Sequence, residues 1–223
     1  MEHGRPARSR LPSPPGGERL GIWSAGAPPA AGSPRRSVVK STMSVAHTWG
    51  TTDEERALAY PCDRHIAAPR DELYRGVTVD APAAVVFRWL CQLRAAPYSY
   101  DWIDNFGRRS PQQLTPGLET LAAGQRVMTI FELVEFEQDR SITIRIAQDG
   151  RSERVFGSLA GTYMAVGRPE GGTRLLGKVS MHRERGLVPR VRQLILPWGD
   201  LVMMRRQLLN LKRLAERDAR QRL

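Results

Sequence analysis

Apolar and polar positions alternate with period two from Asp71 to Val79, DELYRGVTV, where Leu73, Arg75, Val77 and Val79 stand against Tyr74, Gly76 and Thr78. That pattern predicts a strand with one largely apolar face. The period then lengthens. In AAVVFRWLCQL, which ends at Leu93, Val86, Leu90 and Leu93 recur at steps of four and three, as on one face of a helix. Asp80 stands where a side-chain oxygen would cap that helix, and Pro82 is tolerated in its first turn. Pro97 ends it, and beyond Arg108 the breakers Pro111, Pro116 and Gly124 mark a long loop.

Period two returns in RVMTIFELVEFE, Arg126 to Glu137, which is apolar on both faces and predicts a strand buried on both sides at one end. SITIRIA places Ile142, Ile144 and Ile146 opposite Thr143 and Arg145. VFGSLAGTYMAVG and TRLLGKVSMHRE follow, separated by the turn-forming GRPEGG, and in the second Leu175, Val179 and Met181 oppose Arg174, Lys178 and His182. Four successive strands joined by short turns predict an antiparallel meander. Past Pro197, with Asp200 as the expected cap, Leu201, Met204, Leu208, Leu211 and Ala215 recur at steps of three and four. A long C-terminal helix lying across the sheet completes an α+β fold.

One stretch interrupts this scaffold. Ala95 to Pro111, AAPYSYDWIDNFGRRSP, holds Tyr98, Tyr100, Trp102 and Phe106 within nine residues of a chain that is only 7% aromatic. Each such side chain buries about 150 to 250 Å², at about 25 cal/mol per Å². Asp101, Asp104 and Asn105 break the run and Gly107 follows, as in a short capped helix lying over a core. Composition leaves two readings open for it: a plug in the core, or an apolar pocket wall with a few polar groups.

The ends of the chain differ from its body. Residues 1 to 42 hold seven of the sixteen prolines and no hydrophobic period, which reads as disorder. Ordinary composition begins at Met43, so either translation starts there or the segment is a genuine basic tail. Residues 43 to 70 then form an extension ahead of the domain, which spans 71 to 220. Of the net charge of +11, residues 1 to 42 and 201 to 223 carry +5 each, and the body carries the remaining +1. A nearly neutral body argues against a groove that tracks nucleic-acid phosphates. Arg205, Arg206, Lys212, Arg213 and Arg217 line one face of the last helix, which reads as solvated surface; an anionic membrane or nucleic acid is the competing partner for it. Cys62 and Cys91 are too few for a disulfide framework and point to a reducing cytoplasm. No apolar run reaches the about 18 residues of a transmembrane segment.

With VTVDAPAAVVFRWL at the first strand-helix junction, PYSYDWIDNFGRRSP, GQRVMTIFELVEF and LPWGDLVMMRRQLLNLKRLAE, the chain resembles the START-like polyketide cyclase and lipid-transfer (SRPBCC) superfamily, and within it a bacterial branch. The match covers about residues 47 to 218. It implies a helix-grip fold, a curved antiparallel sheet wrapped around the long C-terminal helix, with a cavity between them that takes a lipid or polyketide-like molecule. Some members cyclise or aromatise polyketides. No single catalytic signature defines the superfamily, so no catalytic residue is carried over.

The chain's own chemistry is sparse. GSLAG at 157 to 161 lacks the lysine of a phosphate loop and has its serine one position off a nucleophile elbow. His3, His47, His65 and His182 do not approach a metal spacing, so neither a metal nor a cofactor is expected. Glu132 is the one carboxylate on the Met128, Ile130, Val134 and Phe136 face, where a dry cavity would raise its pKa or an arginine would pair with it. The expected pocket comprises Tyr98, Tyr100, Trp102, Phe106, Glu132, Leu201, Met204 and Leu208, with Trp102 facing the ligand. A small hydrophobic ligand is the leading partner. The enzymatic alternative, a polyketide cyclase or aromatase, would draw on Tyr98, Tyr100, Asp101 or Glu132 for proton transfer.

Overall fold

A computed structural model describes residues 44–183 and 186–221; the disordered segment expected over 1 to 42 lies outside them. The described chain opens with two short helices, α1 (Val45–Thr48) and α2 (Asp53–Arg56), and a 3₁₀ turn, Pro61–His65. Strand β1 (Arg70–Val79) runs into α3 (Ala83–Cys91), which tightens into a 3₁₀ turn before α4 (Asp101–Asp104). Five strands follow, β2 (Arg126–Val127), β3 (Phe131–Glu137), β4 (Ser141–Ile146), β5 (Leu159–Gly167) and β6 (Thr173–His182), with α5 (Arg151–Phe156) between β4 and β5. Helix α6 (Leu187–Arg220) closes the fold.

All neighbouring strands pair antiparallel in the order β1-β6-β5-β4-β3-β2, so the first strand lies beside the last. The period-two pattern assigns the two faces. Leu73, Val77, Leu175, Val179, Tyr163 and Ile144 turn inward against α3 and α6, and they share one core with Trp89, Leu90, Met204, Leu208 and Leu211. Tyr74, Ala160, Met164 and Leu176 turn outward and form a second core with Tyr60, Cys62 and Ile66. This is the helix-grip fold, a sheet with one long helix in its concave side.

From α2 onward, the segment ahead of β1 covers the convex face. Thr52 caps α2 in a reciprocal box with Glu55, and Glu55 pairs with Arg174 of β6 at 2.6 Å. Gly50 makes its approach to β1 feasible. It is left-handed, φ +74, and a Cβ there would stand 2.1 Å from the Gly76 carbonyl oxygen. Further along, Lys178, 3% exposed, reaches Asp63 at 2.8 Å and Glu72 at 3.0 Å and lies over the rings of Tyr60 and Tyr74. Ser180 donates to Asp63, Tyr74 donates to Glu72, and Thr162 accepts from the Cys62 amide. A lysine taken this far from water is tolerated because two carboxylates and two ring faces replace its hydration.

Four expectations are corrected. Asp80 does not cap α3: Pro82 precedes the helix with no side-chain cap, and the Asp80 amide donates instead to Glu216 of α6 at 2.8 Å. RVMTIFELVEFE is not one strand. Met128 and Thr129 have φ of 46 and 68, so β2 folds back on β3 with Val127 opposite Phe131. The link between β4 and β5 contains α5 rather than a short turn. Finally, α6 begins ten residues before Pro197 and runs through it, so Asp200 is a mid-helix residue and not its cap. A proline inside a helix costs about 3 kcal/mol. Tertiary bonds offset this one, because the buried Arg75 guanidinium on β1 donates to the Pro197 carbonyl at 3.2 Å and pairs with Asp200 at 2.6 Å.

Candidate functional site

Between the concave face of the sheet and α6 lies a cavity of about 1060 Å³. Its floor is the inward face of β4 and β5, Ile144, Ile146, Leu159 and Tyr163, with Val179 of β6. Gly161 deepens the floor because no side chain fills its place. One wall is α6 from Val191 to Gln207. The other is the aromatic stretch with the β2–β3 turn, through Pro97, Ile103, Phe106, Met128 and Phe131. Side-chain amides on α6 clamp that second wall. Gln207 donates to the Pro97 carbonyl at 2.6 Å and Asn210 to the Tyr98 carbonyl at 2.8 Å.

Few polar groups reach this space, and the buried ones are mostly held. Tyr163 donates its hydroxyl to Gln207 Oε1 at 2.7 Å. Ser99 donates to Asp104 Oδ2 at 2.5 Å, while Asp104 Oδ1 is buried without a partner. Burial raises the Asp104 carboxyl above its ordinary range, against the Ser99 bond that favours its charged form. Asp200 faces Arg75 as a close ion contact rather than an aligned hydrogen bond. Its burial outweighs the arginine and raises the carboxyl to about 6. Two carboxyl groups that take up protons more readily than usual therefore stand on an otherwise apolar wall. Cys62 and Cys91 are both buried, which pushes their thiols up, Cys91 to about 12, so neither is poised as a nucleophile.

The expected pocket residues divide. Phe106 and Met204 line the cavity. Tyr98 is 1% exposed and packs edge-on against Trp89 at 5.9 Å in the core below the wall. Tyr100 lies beneath the Arg206 guanidinium, Leu208 is fully buried in the main core, and Leu201 is half-buried off the cavity wall. Trp102 is 75% exposed and faces solvent rather than the cavity. Glu132 turns to the convex face, where Arg145 on the neighbouring strand holds it at 2.6 Å. Asp101 anchors the following loop, accepting from the Ser110 amide and hydroxyl. Of the four residues expected to move protons, none lies on the wall.

Sequence reading missed Ser99, Ile103, Asp104, Tyr163, Asp200, Met203 and Gln207. The apolar residues Val191, Ile195 and Leu196 upstream of Pro197 were a signal for a longer helix. Gly161 on an inward strand position was a signal for a hollow.

The basic face of α6 is largely occupied within the chain. Lys212 reaches Glu216 and the Thr78 carbonyl, Arg213 reaches Gln112, Arg217 pairs with Asp218, and Arg205 stacks on Trp49.

No protein-family model matches the chain, nor does any curated protein. Solved structures are similar to it at low identity. Protein MLL2253 from Mesorhizobium loti is 14% identical over 66% of this chain and 98% of its own, with a TM-score of 0.40. An Arabidopsis thaliana member of the major latex protein family is 15% identical over 64% of this chain and 94% of its own, at 0.37. The di-domain ARO/CYC BexL from the BE-7585A biosynthetic pathway is 16% identical over 66% of this chain and half of its own, at 0.39. The fold assignment rests on the strand order, register and gripping helix described above.

Proposed function

We propose that this chain binds a small, largely apolar molecule, lipid or polyketide-like, in the cavity between its sheet and α6. The observation that carries the reading is the cavity itself. At about 1060 Å³ it stands at the upper end of the roughly 300 to 1,000 Å³ of small-molecule sites, and its walls are aliphatic and aromatic side chains with a few fixed polar groups. A domain of this size gains stability by filling its core, so an apolar space this large is a cost unless a ligand occupies it.

Native mass spectrometry of the purified full chain, with solvent extraction of what it carries, identifies the ligand. Titration with N-phenyl-1-naphthylamine tests the site, with saturable binding of one probe per chain expected. A flat titration of folded protein overturns the reading.

A second reading, an enzyme of the polyketide cyclase type, draws on Asp104 and Asp200. Carboxyl groups with raised pKa on an apolar wall have the character of general acids and bases. Turnover of a poly-β-ketone substrate that is lost in Asp104→Asn, with probe affinity retained, would put this reading first.

A further inference from the structure

The rim of the cavity carries a feature that ligand binding in water does not require. Of the twelve large apolar side chains that stand exposed among the described residues, eight lie on α4, the turn after it and the first half of α6, and a ninth, Phe156, ends α5. They form one surface. Ile103, Phe106, Phe156, Val191 and Ile195 are both exposed and on the cavity wall, so they mark its mouth. Trp102, Leu194, Trp198 and Val202 extend the surface outward along the same two helices and are 51% to 75% exposed. On α6 the exposed positions 191, 194, 195, 198 and 202 follow helical steps, so one complete apolar face of about three turns meets water.

The charges around this face are mostly positive, with Glu153 of α5 an exposed acid three residues before Phe156. Between Gly186 and Arg206 the only acid is Asp200, which turns inward to Arg75, whereas the sequence places Arg190 and Arg192 ahead of it; Arg205 and Arg206 lie over Trp49 and Tyr100. On the facing segment Asp104 is bound by Ser99, and exposed Arg108 and Arg109 follow Phe106 with no ion pair among the described residues. An exposed apolar patch of this kind marks a docking site. Tryptophan and phenylalanine among aliphatics, flanked by arginine, match the boundary between lipid headgroups and acyl chains. No helix among the described residues is long and apolar enough to cross a bilayer, so the contact is peripheral.

We propose that the cavity mouth docks on an anionic lipid bilayer, with Trp102, Phe106, Leu194 and Trp198 entering the interfacial layer and the arginines meeting lipid headgroups. The contact differs from the basic face of the last helix, whose cations are mostly engaged within the chain. It also stands independently of what the cavity holds. A cavity that opens into its own apolar docking face lets a hydrophobic ligand pass between protein and bilayer without crossing water.

The test is co-sedimentation of the full chain with vesicles of phosphatidylcholine alone and of phosphatidylcholine with 30% phosphatidylglycerol. Binding to the anionic vesicles at least tenfold tighter than to the neutral ones is expected. Trp102→Glu and Leu194→Glu, neither of which lines the cavity, should each weaken anionic-vesicle binding tenfold or more while N-phenyl-1-naphthylamine affinity in vesicle-free solution stays unchanged. Arg108→Glu with Arg109→Glu should reduce the preference for anionic vesicles and leave the weak neutral binding in place. Binding that survives both apolar variants is carried by charge elsewhere, the basic ends of the chain included, and overturns the proposal. So does absence of vesicle binding, or self-association of the chain that the same two variants dissolve in sedimentation velocity. Probe titration without vesicles reports on the cavity separately, so the failure of docking and the failure of ligand binding are distinguishable.

Discussion

The two faces of the sheet were given similar material and treated in opposite ways. On the convex face the chain supplies its own cover, and polar groups that turn outward are paired to it: Lys178 with Asp63 and Glu72, Arg174 with Glu55, Thr162 with the Cys62 amide. On the concave face α6 is gripped at its C-terminal half by Leu208, Leu211 and Leu214, but its N-terminal half stands off the sheet and leaves the cavity between. Burial of charge on the convex face is compensated within the chain. Burial of apolar wall on the concave face awaits a molecule from outside. A face completed by the chain contributes stability, and a face left incomplete contributes function.

Removing the centre of the convex network is the severest test of that contrast. Lys178→Ala leaves Asp63 and Glu72 facing each other without their cation. Loss of one partner of a fully buried pair costs about 3 to 5 kcal/mol, and here the carboxylates keep about a quarter of their surface, so about 2 to 3 kcal/mol is expected. Chemical denaturation should show this loss, with probe affinity in the remaining folded protein unchanged. An equal fall in probe affinity would mean that the two faces are coupled.

Filling the concave face should do the reverse. A Cβ at Gly161 would meet the Lys178 carbonyl oxygen at 3.4 Å and Val179 at 3.8 Å, so a larger side chain fits and points into the cavity. Gly161→Leu is expected to lower probe affinity at least tenfold, about 1.4 kcal/mol, while shifting stability by less than about 1 kcal/mol. Unchanged probe affinity would place the probe elsewhere.

The faces also titrate with opposite sign. Burial alone would raise Glu72, but bonds from Tyr74, Arg70 and Lys178 outweigh it and hold the carboxyl below its ordinary 4.5. Its contribution is present above that value and is lost as pH falls through the lower folded one. Asp200 is raised from 3.8 to about 6 by burial, so above pH 6 its ionisation disfavours the fold, and that penalty disappears as pH falls toward 4. Stability measured against pH should show both. The difference between wild type and Glu72→Gln narrows below about pH 4.5, and the difference between wild type and Asp200→Asn declines from pH 4 to 6 and is level above. A flat Asp200 difference would show that Arg75 fully compensates the burial.

The smallest effect belongs to the rim. Trp102→Ala removes a side chain that is 75% exposed, and its cost to folding should stay under about 0.5 kcal/mol. A buried tryptophan would cost about 3 to 5 kcal/mol, so a denaturation curve decides between rim and core.

Sequence alone determined the fold class and the order of the main strands and helices. Period two in DELYRGVTV, SITIRIA and TRLLGKVSMHRE and the 3.6-residue spacing in AAVVFRWL and after Asp200 are local signals, and the structure places strands and helices on all of them. Those periods also divided Leu175 and Val179 from Arg174 and Lys178 correctly. What they could not report is the object each face meets. The face assigned to Glu132 depended on whether RVMTIFELVEFE stays straight, and it folds back at Met128 and Thr129 with a register shift between Leu133 and Glu135. In the aromatic stretch, side chains of one chemical kind went to the core at Tyr98, to the cavity at Phe106 and to solvent at Trp102, because the backbone turns left-handed at Tyr98 and Phe106, φ 56 and 52, on either side of the four-residue helix that carries Trp102. The N-terminal half of α6, which supplies one wall of the cavity and most of its rim, follows the same rule. Pro197 marks a helix boundary when only its neighbours are counted, and the groups that hold the helix through it belong to Arg75, 122 residues earlier, which no local pattern brings within 3.2 Å.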